Sequence, residues 1–119
     1  MNGENYSNKL PTILIIGGFS GEDTLSPLLV KRLLNKLLSF SKDNEINKLL
    51  NNHRLLLIPS INPEGQFNKR EAEKTEDGTT VNVSEDFNYG IKSNKKCFKS
   101  SSARILAHIL KVYIIKRNI

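Results

Sequence analysis

The stretch Gly17-Gly18-Phe19-Ser20-Gly21-Glu22-Asp23 brings a permissive backbone, a hydroxyl and two carboxylates together within one turn. Three chemistries use a glycine-rich turn of this kind. A dinucleotide fingerprint needs Gly-x-Gly-x-x-Gly, and glycines at 17, 18 and 21 have the wrong spacing. A phosphate-cradling loop needs Gly-Lys followed by Ser or Thr. Glu22-Asp23-Thr24 stands there instead, and two carboxylates at a helix entrance repel a phosphate. A nucleophile elbow needs Gly-x-Ser-x-Gly. Gly18-Phe19-Ser20 fits its start, but Glu22 occupies the place of the last glycine. The remaining imidazole and thiol groups are His53, Cys97 and His108, widely separated and forming no close ligand pair, so no new zinc site is expected from them. A single cysteine also excludes an internal disulfide framework. Glu64, Glu71, Glu73, Glu76 and Asp77 read as the solvated face of a loop.

The elements that position this turn follow from the apolar pattern. Leu10 to Ile16 is a short apolar run ended by glycines, read as a strand buried on both faces, as in a parallel sheet. Ser26-Pro27 suits an N-cap and first turn. Leu29, Leu33, Leu37 and Phe40 then recur at helical spacing, which predicts a helix from Leu28 to Phe40. The polar stretch Asn44 to Asn52 adds a helical turn or two, and His53 to Pro59 is a second buried strand. Strand, helix and parallel strand make a crossover unit, so the fold class is α/β. Asn62-Pro63-Glu64-Gly65 reads as a turn. The polar segment Gln66 to Gly90 is too long for an ordinary connection. Ser100 to Ser102 caps a last helix, about Ala103 to Lys116, apolar around most of its circumference. Two strands leave open sheet edges, so self-association or a missing carboxy-terminal half is expected.

A fourth reading of the glycine turn joins these pieces. Ile15-Ile16-Gly17-Gly18-Phe19-Ser20-Gly21-Glu22-Asp23 is similar to the first metal-binding motif of zinc carboxypeptidases, an apolar strand ending in Gly-Gly-x-His-Gly-x-Glu. Leu57-Ile58-Pro59-Ser60-Ile61-Asn62-Pro63-Glu64-Gly65 closely resembles that family's Pro-x-x-Asn-Pro-Asp-Gly. Val81 to Tyr89 resembles its Val-Asp-Leu-Asn-Arg-Asn-Phe-Pro-Tyr, and Cys97 to Leu110 resembles the helix that follows. The likeness covers roughly Leu10 to Leu110, in the family's order. It implies a partial mixed or parallel sheet with flanking helices, zinc as the family's cofactor, and hydrolysis of the last peptide bond of a peptide or protein C-terminus.

The same resemblance locates the departures. Ser20 falls on the histidine ligand and Asp23 on the glutamate ligand. A neutral hydroxyl is a poor zinc ligand, and Asp23 is one methylene short. Ser84 and Glu85 fall on the Asn-Arg pair that grips a peptide's terminal carboxylate, where Glu85 would repel it. Arg70 matches an arginine that the family places near the scissile carbonyl. The later histidine ligand and the general base are not among the nine residues from 111 to 119. The chain is therefore expected to be a degenerate or truncated member without retained zinc, with residues 1–9 a polar tail and 10–119 the carboxypeptidase-like domain. A non-catalytic peptide- or protein-binding module, with the segment from Gln66 to Gly90 as its recognition surface, is the alternative.

Composition narrows the remaining classes. With 38% hydrophobic and 25% charged residues, a globular domain is expected rather than a disordered segment. No run approaches the roughly 18 apolar residues that span a bilayer, and Met1 to Lys9 lacks a secretory pattern. No membrane partner is expected, and no compartment is assigned. The net charge of +6 and pI near 9.6 raise a nucleic-acid reading. Its lysines are scattered and interrupted by glutamates, so a basic nucleic-acid-binding domain is the weakest reading.

Overall fold

The computed structural model describes residues 10–87 and 98–114. Strands β1 (Thr12–Ile16) and β2 (Arg54–Ile58) pair in parallel, with Thr12 opposite Arg54 and Ile16 opposite Ile58. Helices α1 (Leu25–Ser39) and α2 (Asn44–Asn52) form the connection between them and both lie against β2. The α/β class read from the two apolar runs is the one observed.

After β2 come the short helix α3 (Pro63–Phe67) and an antiparallel hairpin of β3 (Glu73–Lys74) and β4 (Thr80–Val81). A 3-10 turn (Val83–Glu85) follows, then helix α4 (Ser101–Ile109), which continues as a π-helical stretch, Leu110–Ile114. The segment expected as one long loop is therefore largely built up to Phe87, while Asn88 to Gly90 and Cys97 lie outside the described residues.

Helix boundaries depart from the expected ones because the capping side chains differ. Helix α1 begins at Leu25, ahead of the expected Leu28, since Asp23 rather than Ser26 receives its first amides. Helix α2 is complete because Asp43 Oδ1 accepts from the amides of Glu45 at 3.0 Å and Ile46 at 3.3 Å. Helix α4 begins at Ser101, ahead of the expected Ala103. Ser100 Oγ caps it by accepting from the Ala103 amide at 3.1 Å. Its expected end at Lys116 lies outside the described residues.

A cluster of Ile61, Val83 and Leu106 forms the core, with Leu14, Ile16, Ile58, Phe19 and Phe87 packed around it. Alternation along the strands sets Ile13, Ile15, Leu55 and Leu57 on the other face of the sheet. The strands are not buried on both faces as expected. None of their residues is fully buried, and Ile13 is 38% exposed. Two strands are too few for each to be flanked, so their outer faces keep contact with solvent.

Candidate functional site

The site is the turn leaving β1, and Asn62 holds it in place. The sheet continues past β1 through the Gly17 amide, which donates to the Ile58 carbonyl at 2.8 Å. The amides of Ile61 and Asn62 then donate to the carbonyls of Gly17 and Gly18, at 3.0 and 3.2 Å. The Asn62 side chain is fully buried. Its Nδ2 donates to the carbonyls of Phe19 at 3.1 Å and Glu71 at 3.3 Å, and its Oδ1 accepts from the Gly65 amide at 2.9 Å. Both amide hydrogens and one oxygen lone pair are thus used, which suits Asn and no charged residue. The same closeness demands glycine nearby. A Cβ on Gly65 would sit 2.5 Å from the Asn62 side chain, and one on Gly21 would sit 2.0 Å from the Arg70 carbonyl oxygen.

Asp23 is occupied by the start of α1. Its Oδ1 accepts from the amides of Leu25 and Ser26, each at 3.0 Å, and its Oδ2 accepts from the Ser26 hydroxyl at 2.5 Å. Ser26 Oγ in turn accepts from the Gly18 amide at 2.9 Å, tying the cap back to the turn. The Ser26 hydroxyl and amide, with the Leu25 amide, hold the Asp23 carboxyl below its ordinary value of 3.8. Pro27 has no amide hydrogen for the Asp23 carbonyl, and Gln66 Nε2 supplies one from α3 at 3.1 Å. Ser20 serves the same turn. Its Oγ accepts from the Glu22 amide at 3.2 Å, and its carbonyl accepts from the Asp23 amide at 3.2 Å.

This donor set does not fit zinc. A carboxylate offers about four lone pairs, and three of Asp23's are filled by donors of its own helix. Ser20 brings a neutral oxygen that already accepts an amide. Among the described residues no three His, Cys, Asp or Glu side chains gather so as to hold a metal ion. His53 places Nδ1 3.2 Å from the Leu49 carbonyl at the end of α2, and His108 is exposed on α4. Cys97 lies outside the described residues.

The residues expected on the substrate side are paired within the chain or exposed. Arg70 Nη2 pairs with Glu64 Oε1, and Glu64 also accepts from Asn68 Nδ2 at 3.1 Å and from the Lys74 amide at 2.9 Å. Arg70 thus locks α3 to the chain beyond it. Ser84 and Glu85 are exposed on the 3-10 turn. Their neighbour Asp86 is buried, and sequence reasoning passed over it. Asp86 Oδ1 accepts from the Lys99 amide at 3.0 Å, and Oδ2 accepts from the Ser100 amide and hydroxyl, each at 2.8 Å. Buried Glu73 adds a second carboxylate at the start of α4, accepting from the Ser102 amide at 3.2 Å. Negative charge at a helix N-terminus is favourable. Both acids therefore anchor α4 to the hairpin and the 3-10 turn. In the exposed loop, Asp77 accepts from the hydroxyls of Thr75 and Thr79 and from the Thr79 amide, which pulls its carboxyl down to about 2.

The sequence model of one family, described as zinc carboxypeptidase, matches residues 2–104 of the 119. No curated protein and no solved structure matches the chain.

Proposed function

We propose that this chain, which belongs to the zinc carboxypeptidase family, is a member whose metal motif has become a helix cap and which does not hydrolyse peptides. The chain is a metallocarboxypeptidase-like domain, and the family is zinc-dependent. One observation carries the rest of the reading: the Asp23 carboxylate spends three of its lone pairs on Leu25 and Ser26. At the neighbouring ligand position Ser20 has no imidazole to offer. The reading concerns these two positions alone and holds whatever sequence adjoins the chain.

The substrate side supports it. Binding of a peptide's terminal carboxylate needs an accessible cation with a fork of donors. Arg70 is already paired with Glu64, and Glu85 places an exposed acid at the family's arginine position.

The test is incubation of the chain with zinc and peptides of varied carboxy-terminal residue, followed by chromatography for released amino acids. No release above the protein-free control is expected. Release that Asp23→Ala abolishes would overturn the proposal.

A further inference from the structure

Helix α1 buries Pro27, Val30 and Leu37 on the side that faces the rest of the chain. On its opposite side Leu25, Leu28, Leu29, Arg32 and Lys36 fall at i, i+3, i+4, i+7 and i+11, one continuous stripe. The three leucines are 64%, 43% and 55% exposed, and Arg32 and Lys36 are exposed as well. No acid occurs anywhere in the helix, which carries Lys31 as a third cation. A helix that is apolar on two sides calls for cover on the second.

The charge indicates what the cover is. A second copy joined through the same stripe would gather Arg32 and Lys36 of both copies into one interface whose helices carry no acid, because a two-fold contact uses one patch twice. Like charges there disfavour that pair. A surface that is at once apolar and anionic accepts both halves of the stripe: leucines enter the boundary between headgroups and acyl chains, and the cations meet headgroup phosphates.

We infer that the outer face of α1 is a peripheral docking surface for an anionic lipid bilayer. This departs from the sequence expectation of no membrane partner, which rested on the lack of a spanning run. Among the described residues no helix is long and apolar enough to cross a membrane. A stripe lying in the interface needs no such length. The chain's excess of Lys and Arg over Asp and Glu acts in the same direction. The inference is independent of whether the metal motif holds zinc.

The test is flotation of the full chain with vesicles of phosphatidylcholine alone and with roughly a third phosphatidylserine. Binding is expected to the mixed vesicles only, and to fall as salt rises. Arg32→Gln with Lys36→Gln should weaken partition about twenty-five-fold, at roughly fivefold per cation. Leu28→Glu with Leu29→Glu should abolish it. All four positions are exposed, and circular dichroism of each double variant should match the parent. If the glutamate pair nevertheless perturbs the helix, Leu28→Ser with Leu29→Ser serves in its place. Three results would each overturn the inference: no binding to the mixed vesicles at low salt; binding that survives the leucine changes, which would assign it to scattered lysines; or tighter capture by a soluble helical peptide bearing leucines and glutamates, which would assign the face to a protein.

Discussion

Replacing Asn62 by alanine removes the side chain that joins β2 to the turn after β1. The Phe19 carbonyl and the Gly65 amide lose their partner, and the Glu71 carbonyl loses one of two, keeping the Gly21 amide at 3.2 Å. Each orphaned group in a buried setting costs about 1–3 kcal/mol. The Glu71 bond is the longest of the three at 3.3 Å and the least costly to lose. The sum is about 3–5 kcal/mol after some relaxation toward water. A chain of this length has a total stability on the order of 6–18 kcal/mol, so the variant should lose a large share of it. At about 3–6 °C per kcal/mol for a domain of this size, the midpoint should fall by roughly 10–25 °C. Thermal unfolding followed by circular dichroism, with urea titration as a second probe, reads this directly. Asn62→Asp keeps the acceptor for Gly65 but turns a carboxylate toward two carbonyls, and it should be at least as damaging at neutral pH. A midpoint for Asn62→Ala within a couple of degrees of the parent would refute the reasoning, because it would mean that the turn does not depend on this residue.

Gly21→Ala should be far more disruptive than Gly78→Ala. The first drives a Cβ to within 2.0–2.3 Å of the backbone of Arg70 and Gly65, whereas the second meets nothing within 4 Å and has only its positive φ of 87° to strain it. Comparing soluble yield and urea midpoints checks the order, and equal losses would contradict it. Acid should loosen the start of α1. A carboxyl held below its unfolded value contributes stability above that value and loses it as pH falls through the folded one. For Asp23 that places the loss below pH 3.8, and for Asp77 the window runs down to about 2. Amide resonances of Leu25 and Ser26 should hold steady above pH 5 or so and shift only in that acid window. Movement centred near neutral pH would contradict the assignment.

Much of the architecture was legible because it rests on apolar period. The runs at Leu10–Ile16 and His53–Pro59 are of strand length and bounded by glycine or proline, and their separation left room for a crossover helix. The start of α1 was not legible. Ser26-Pro27 has the composition of a cap, but Asp23 accepts the amides of Leu25 and Ser26 and so starts the helix earlier, and composition does not rank two capping residues three positions apart. The complete α2 was hidden for a related reason, since Asn44 to Asn52 is polar and its signal was the single residue Asp43. The strands' burial was misjudged because an apolar run reports what a side chain tolerates and not how many neighbours the sheet supplies.

For the site, the alignment of residues named Ser20, Asp23, Arg70, Ser84 and Glu85, but only geometry shows what each touches. Asn62 was read as part of a turn, and its burial explains why an Asn-Pro-x-Gly pattern is specific at all. Asp86 went unnoticed, and Glu73, read as part of a solvated loop face, is buried, because acids in a polar loop look alike in sequence. Which of them turns inward depends on where the first amides of α4 come to rest. The corresponding signal would have been Ser100 to Ser102, a helix start in need of negative charge.

The central claim is that Asp23 and Ser20 build a turn and do not hold a metal. Equilibrium dialysis of the purified chain against buffered zinc, read by elemental analysis, tests it most directly. The account predicts zinc well below one per chain for the parent, and a gain when Ser20→His and Asp23→Glu are introduced together. One tightly held zinc per chain in the parent, lost on Asp23→Ala, would contradict it.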